Sequence, residues 1–186
     1  MALGYVRDAR PDDAGEIARI QLSTWRHAYR RMLPRRVLDG LGEEWMAQRW
    51  LAAITEPPSP RHRVLVAVEQ AQGSYLVGFA ASGDADEAAL APGEALEDLG
   101  EGVVSITDLL VEPRWQRRGH GSRLLAASAD LWRDDGFTTA LAWAFDADVA
   151  MLRFLESAGW ALDGTTRALD VDDLLVPQSR LHVGMA

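Results

Sequence analysis

No cysteine occurs among the 186 residues, so disulfides, thiolate nucleophiles and cysteine metal sites are excluded, and a reducing compartment, with the cytoplasm as the default, suits the chain. Positive charge is scarce. Basic residues number 19 against 28 aspartates and glutamates, a formal net charge of −9, which argues against general nucleic-acid binding and mildly favours cationic small partners. Apolar runs stop well short of the roughly 20 residues that a membrane helix requires, and Arg7, Asp8 and Arg10 stand where a secretory leader would be apolar. The expectation is a soluble protein that makes no use of a membrane. His27, His62, His120 and His182 are scattered without an H-E-x-x-H pair, which predicts no metal site, and no serine sits in G-x-S-x-G.

What is present fits one domain over residues 1–186, since a chain this long buries roughly 70% of the surface its unfolded form exposes. Leu3 to Arg7 reads as a strand, and Pro11-Asp12-Asp13 opens a helix with Ala18, Leu22, Trp25, Tyr29 and Met32 at helical spacing. Pro34 ends it. A second helix places Leu38, Leu41 and Trp45 on one stripe and Met46, Trp50 and Ile54 beside it, up to Pro57-Pro58. Val64 to Val68 and Tyr75 to Ser82 flank Gln72-Gly73 as a hairpin. Residues 83–102 hold seven acids and no base and read as a solvated, mobile connection.

The remaining pattern is strand Val103 to Val111, helix Gly119 to Asp135 closed by Gly136, strand Thr138 to Phe145, helix Val149 to Ser157, and short strands at Gly159 to Leu162 and Leu181 to Val183. A mixed α/β sheet with helices on both faces accommodates this order.

The passage from strand to helix, Leu109-Leu110-Val111-Glu112-Pro113-Arg114-Trp115-Gln116-Arg117-Arg118-Gly119-His120-Gly121, carries the sharpest chemical signal. Glycines at 119 and 121 let backbone N–H groups approach an anion, the helix N-terminus adds positive partial charge, and Arg117 and Arg118 add full charges. The bland alternative is a tight turn that only caps a helix. A dinucleotide fingerprint requires glycine at position 124, where leucine stands, and the nucleotide P-loop requires Gly-Lys-Ser/Thr, which is absent.

Leu109, Val111, Pro113, Gln116, Gly119 and Gly121 together resemble the acetyl-CoA motif of the GNAT N-acetyltransferase superfamily, an L-x-V-x-P strand followed by Q/R-x-x-G-x-G/A. The Trp25 to Tyr29 helix, Val77-Gly78-Phe79 and Phe154-Leu155-Glu156-Ser157-Ala158-Gly159-Trp160 extend the likeness over most of the chain. The resemblance implies a GNAT-like acyl-CoA N-acyltransferase fold, with seven strands splayed between the fourth and fifth. It implies pantetheine against the main chain of Leu109, Leu110 and Val111, and pyrophosphate on the backbone from Arg117 through His120 to Ser122, with Phe154 flanking. Asp148 stands where the family often has a cofactor-side asparagine.

The implied reaction moves an acetyl or short acyl group from acetyl-CoA to a primary amine, and an alkylamine must lose a proton before it attacks. Asp108 is the first candidate base and Ser105, where relatives carry glutamate, could order a water; a solvated or salt-bridged Asp108 is the alternative. Trp25, Tyr29, Trp143, Phe145 and Asp146 are candidates for the acceptor pocket, with core packing as the competing reading for the aromatic ones. Leu155 replaces the tyrosine that protonates the leaving thiolate in relatives. That substitution leaves open a module that binds acyl-CoA as a sensor with little catalysis. A third reading docks the acidic 83–102 segment on a basic partner, and the resemblance also admits a homodimer.

Overall fold

The computed structural model describes residues 4–185. Seven strands form one sheet in the order β1-β2-β3-β4-β5-β7-β6, with β1 Tyr5–Asp8, β2 Arg63–Glu69, β3 Tyr75–Asp84, β4 Val103–Val111, β5 Thr139–Phe145, β6 Ala161–Val171 and β7 Leu174–Gly184. The β4–β5 pair is parallel and every other neighbour antiparallel.

Alternation along the strands builds two cores. Val66, Val68, Phe79, Ala81 and Leu110 face Ile17, Ile20, Met46 and Trp50 of helices α1 (Ala14–Ala28) and α3 (Glu43–Thr55). Leu65, Ala67, Ala80, Ile106 and Leu109 face Leu124, Leu125 and Trp132 of α5 (His120–Asp134) and Leu155 of α6 (Val149–Ser157). The period of two sends neighbours to opposite sides, so one sheet satisfies both layers.

Several sequence expectations need correction. The first strand is Tyr5–Asp8, with Leu3 outside the described residues, and α1 stops at Ala28, so Tyr29 caps it and Met32 lies in the following turn. The expected second helix is two: α2, Arg35–Gly40, and α3, separated by Leu41 and Gly42. Glycines at 40 and 42 weaken the ladder there, and the break turns Trp45 outward to 53% exposure while Leu38 is buried.

The acidic 83–102 segment is a docked strap. It includes a single 3₁₀ turn at Glu87–Ala89 and a short helix α4 at Leu96–Leu99. Ala89 and Ala91 are buried. Trp143 Nε1 donates to Ala89 O at 2.9 Å, Arg167 Nη1 to Ala88 O at 2.7 Å, and Arg180 Nη1 to Glu94 Oε2 at 2.6 Å. Local charge predicts solvation, but the arginines that hold the segment down lie more than seventy residues on in β6 and β7, Arg180 pairing with Glu94 and Arg167 bonding the Ala88 carbonyl.

The C-terminal strands are also longer than expected. They pair from Ala161 opposite His182 to Val171 opposite Leu174, and Asp172 and Asp173 turn the hairpin with φ of 57° and 65°, as a two-residue type I′ turn requires.

Candidate active site

Strand β4 pairs with β5 only over Val103–Ile106 against Thr139–Ala142. Beyond Ile106 the two strands part, so the β5-facing main chain of 107–111 is unpaired with β5 and, apart from the Val111 carbonyl that Gln116 holds, offers groups to a ligand with amides. A one-residue irregularity coincides with the parting: Ile106 lies opposite Ser82 and Asp108 opposite Ala81, leaving Thr107 as the extra residue of a bulge. Because side chains alternate, the extra residue switches phase and turns Asp108 from the α5 side to the α1/α3 side.

Asp108 lies there on the floor of a cavity of about 500 Å³, lined also by Gln21, Trp25, Trp45, Arg49 and Trp50. Burial pushes its carboxyl up to about 6; the Thr107 hydroxyl, which donates to Oδ2 at 3.0 Å, and the charge of Arg49 pull the other way. Gln21 Nε2 donates to Asp108 Oδ1 at 3.3 Å, and the buried Trp50 indole donates to Gln21 Oε1 at 2.7 Å. Among the described residues no salt bridge holds Asp108. A carboxyl balanced near neutrality and unpaired is suited to taking and returning a proton.

The glycine loop supplies the other half. Gly119 precedes α5 with φ of 82°, a left-handed conformation that L side chains resist, and Arg117 shares that region at 61°. Gly121 differs: a Cβ there would stand 3.4 Å from the Phe154 ring and 3.8 Å from Val111 Cγ2, in ordinary contact, so only a larger side chain would crowd the ring against the helix start. Gln116 Nε2 donates to Val111 O at 3.0 Å, tying the loop to the end of β4. Arg118 stacks over Trp115 with its guanidinium 4.9 Å from the ring. The first turn of a 15-residue helix thus stands beside the exposed guanidinium groups of Arg117 and Arg118, which fits a pyrophosphate.

The His120 side chain points away from this loop. It is 1% exposed, its Nε2 stands 3.0 Å from Glu69 Oε2, and burial lowers its pKa. Only its backbone remains for an anion. Asp148 accepts from Met151 N at 3.1 Å and caps α6.

Residues 22–160 match the sequence model of the acetyltransferase (GNAT) family. The chain belongs to the GNAT family. The uncharacterized N-acetyltransferase YuaI of Bacillus subtilis is 25% identical over 147 residues, 79% of this chain and 75% of its own. Among solved structures, yncA of Salmonella typhimurium, determined with its cofactor acetyl-CoA, is 18% identical, with 98% of this chain and 94% of that one covered at a TM-score of 0.68. The paia N-acetyltransferase of Thermoplasma acidophilum, in complex with coenzyme A, is 13% identical, covering 95% and 97% at a TM-score of 0.65. These likenesses show the GNAT fold, including the splayed mixed sheet.

Within this GNAT chain the acceptor candidates separate. Trp25 lines the Asp108 cavity, as does Ser105. Tyr29 is outside its lining but packs edge-on against Phe145 at 5.1 Å, and its phenol is raised by burial and then by the charges of Asp148 and Asp108. Trp143 and Asp146 belong elsewhere: Arg167 and Arg180 stack on Trp143 at 4.1 and 5.5 Å, and Asp146 accepts from Ser179 Oγ at 2.7 Å. Trp45, Trp50, Gln21 and Arg49 join the site unforeseen; Trp45 and Trp50 read as helical stripe residues, and only the α2–α3 break shows which stripe meets the sheet. Leu155, in the usual tyrosine position, is 2% exposed in the α5/α6 core. Among the described residues, no three His, Asp or Glu side chains gather as a metal site, and no helix is long and apolar enough to cross a membrane.

Proposed function

We propose that this GNAT chain transfers an acetyl or short acyl group from acetyl-CoA to a primary amine, with Asp108 as the first proton acceptor. The observation that carries the reading is the bulge at Thr107, which turns a half-buried carboxyl, pushed up to about 6, into a tryptophan-walled cavity beside the β4–β5 gap. The backbone of Arg117 to Ser122 would hold the pyrophosphate, with Phe154 against the chain that leads from it, and the main chain of Leu109, Leu110 and Val111 would pair with pantetheine. Acetyl-CoA supplies the activated acyl group. Trp25, Trp45 and Trp50 give the acceptor an apolar body to fill against, and indole faces also attract an ammonium.

Thiol release from acetyl-CoA, followed with a panel of primary amines, tests the reading. The expected result is amine-dependent release that Asp108→Asn lowers by about 100-fold without changing acetyl-CoA affinity. Tight acetyl-CoA binding with no amine-dependent release from any member of the panel would overturn transfer in favour of an acyl-CoA sensor.

A further inference from the structure

We propose that His62 is a second proton acceptor in this site, reached through a water that Ser105 orders and oriented by an Asp84–Ser59–His62 chain. The proposal rests on the amine-transfer reading and adds to it a residue from outside the family's motifs.

His62 precedes β2 on the turn that follows Pro60. Ser59 Oγ lies 2.9 Å from His62 Nδ1 and donates to Asp84 Oδ2 at 3.3 Å. Ser59 Oγ has one proton; in the proposed arrangement it goes to Asp84, so the oxygen accepts from Nδ1–H and Nε2 is left bare. The backbone N–H of Arg61 also donates to Ser59 Oγ, at 3.2 Å, and the Arg61 guanidinium pairs with Asp84. Serine, carboxylate and ring are therefore held as a unit.

The bare edge of the ring is seated against the sheet. Its Cδ2 and Nε2 occupy the space where a Cβ on residue 83 would be, so glycine at 83 is what admits the imidazole. Gly83 lies directly opposite Ser105 of β4, and Ala81 opposite Asp108. Side chains of directly opposed residues share a face, roughly 5 Å apart at Cβ. His62, Ser105 and Asp108 thus share one cavity floor, all three lining it. The other charged groups on these walls are Asp84 with Arg61, Arg63 with its partner Asp135, Asp86, and Arg49 across the cavity.

The chemistry needs two acceptors. An alkylammonium loses one N–H proton before its lone pair can bond to the carbonyl carbon, and the new C–N bond leaves a second N–H proton to remove before the amide is complete. Asp108 takes the first. A solvent water held by Ser105 Oγ takes the second while passing one of its own protons to His62 Nε2. When the C–S bond breaks, sulfur leaves with the electron pair and Asp108 returns its proton to the thiolate, whose conjugate acid has a pKa near 8.5. The imidazolium releases the other to water, for which its 27% side-chain exposure gives a path. The sum is ammonium plus thioester giving amide, thiol and one proton.

The experiment compares His62→Ala, His62→Gln, Ser59→Ala and Gly83→Ala in thiol release with the best amine of the panel, alongside acetyl-CoA affinity and thermal melting. His62→Ala and His62→Gln are expected to lose at least about 30-fold in kcat with acetyl-CoA affinity within twofold, and added imidazole restores part of the His62→Ala rate. Gly83→Ala, which displaces the ring, falls in the same direction. Nitrogen-15 spectra of the histidine ring are expected to show the Nδ1–H tautomer in the unaltered protein and its loss in Ser59→Ala. Full activity in His62→Gln, or a ring carrying its proton on Nε2, overturns the proposal while leaving amine transfer intact; no amine-dependent release from the unaltered protein overturns the transfer reading itself.

Discussion

Gln21 donates its amide N–H to Asp108 while accepting the indole N–H of Trp50, so one buried side chain couples the α1–α3 packing to the acid on β4. Gln21→Leu removes both bonds. Trp50 Nε1 then sits buried without an acceptor, which costs about 1–3 kcal/mol, and Asp108 loses an orienting donor. A melting point lower by several degrees, together with a fall in kcat that exceeds any change in acetyl-CoA affinity, is the expected pairing. A fall in stability alone would mean that Gln21 only braces α1 against α3.

The pH dependence follows from the carboxyl of Asp108, pushed up to about 6. The free base is the active form, so kcat/KM climbs with pH through a limb near 6, and Asp108→Asn abolishes that limb. Thr107 donates to the ionised form, so Thr107→Val moves the limb to higher pH. The stability sign is opposite. A raised carboxyl favours the folded state when protonated, so Asp108 costs stability as pH rises above the ordinary carboxylate range, up to about 3 kcal/mol, and Asp108→Asn melts higher than the unaltered protein at pH 8. Melting curves at pH 5 and pH 8 check it.

Glycine serves at 119 through its backbone conformation and at 121 through the space it leaves beside the helix start, and substitutions separate the two. Gly119→Ala forces a Cβ into φ of 82°, with a cost of about 1 kcal/mol. Gly121→Val has no such strain, but its side chain starts 3.4 Å from Phe154 and narrows the ground beside the first-turn N–H groups. Gly121→Val is expected to weaken acetyl-CoA binding by at least about tenfold with a melting point near that of the parent, and Gly119→Ala to lower both. Calorimetric titration with acetyl-CoA reads the affinities; unchanged affinity in both variants would reduce the loop to a helix cap.

The loop was legible because anion binding by backbone needs particular residue types at fixed spacing, and the sequence shows them from Gln116 to Gly121. The splay was implied only by family resemblance. The Thr107 bulge has no compositional mark, since Ser105-Ile106-Thr107-Asp108 reads as continuous strand, yet it decides which face Asp108 joins. Residues 163–175 alternate little because most of β6 is exposed; cross-strand pairing and the Asp172-Asp173 turn hold it, and periodicity has nothing to report. Charge misled at 83–102 because Glu94 finds Arg180 on a strand 86 residues away, beyond any local window.

That distant pair makes the strap a stability element with its own pH signature. The Arg180 side chain is 7% exposed and bridges Glu94 at 2.6 Å and Asp163 at 2.7 Å. The guanidinium holds the Glu94 carboxyl below its ordinary value; at Asp163 burial pushes upward, but hydrogen bonding from Arg180 and Thr165 wins and the pKa is also lowered. A depressed carboxyl contributes stability that is complete above its unfolded pKa and lost as pH falls through the folded one, so these bonds weaken below about pH 4. Removing the arginine strands both carboxylates and uncovers one face of Trp143. Arg180→Met is therefore expected to cost about 3 kcal/mol or more at pH 7, and the gap to the parent narrows at pH 3, where neutral carboxyls no longer need the cation. Protease cleavage confined to 83–102 in the variant would place the loss in the strap; an equal gap at both pH values would assign it to packing against Trp143 instead.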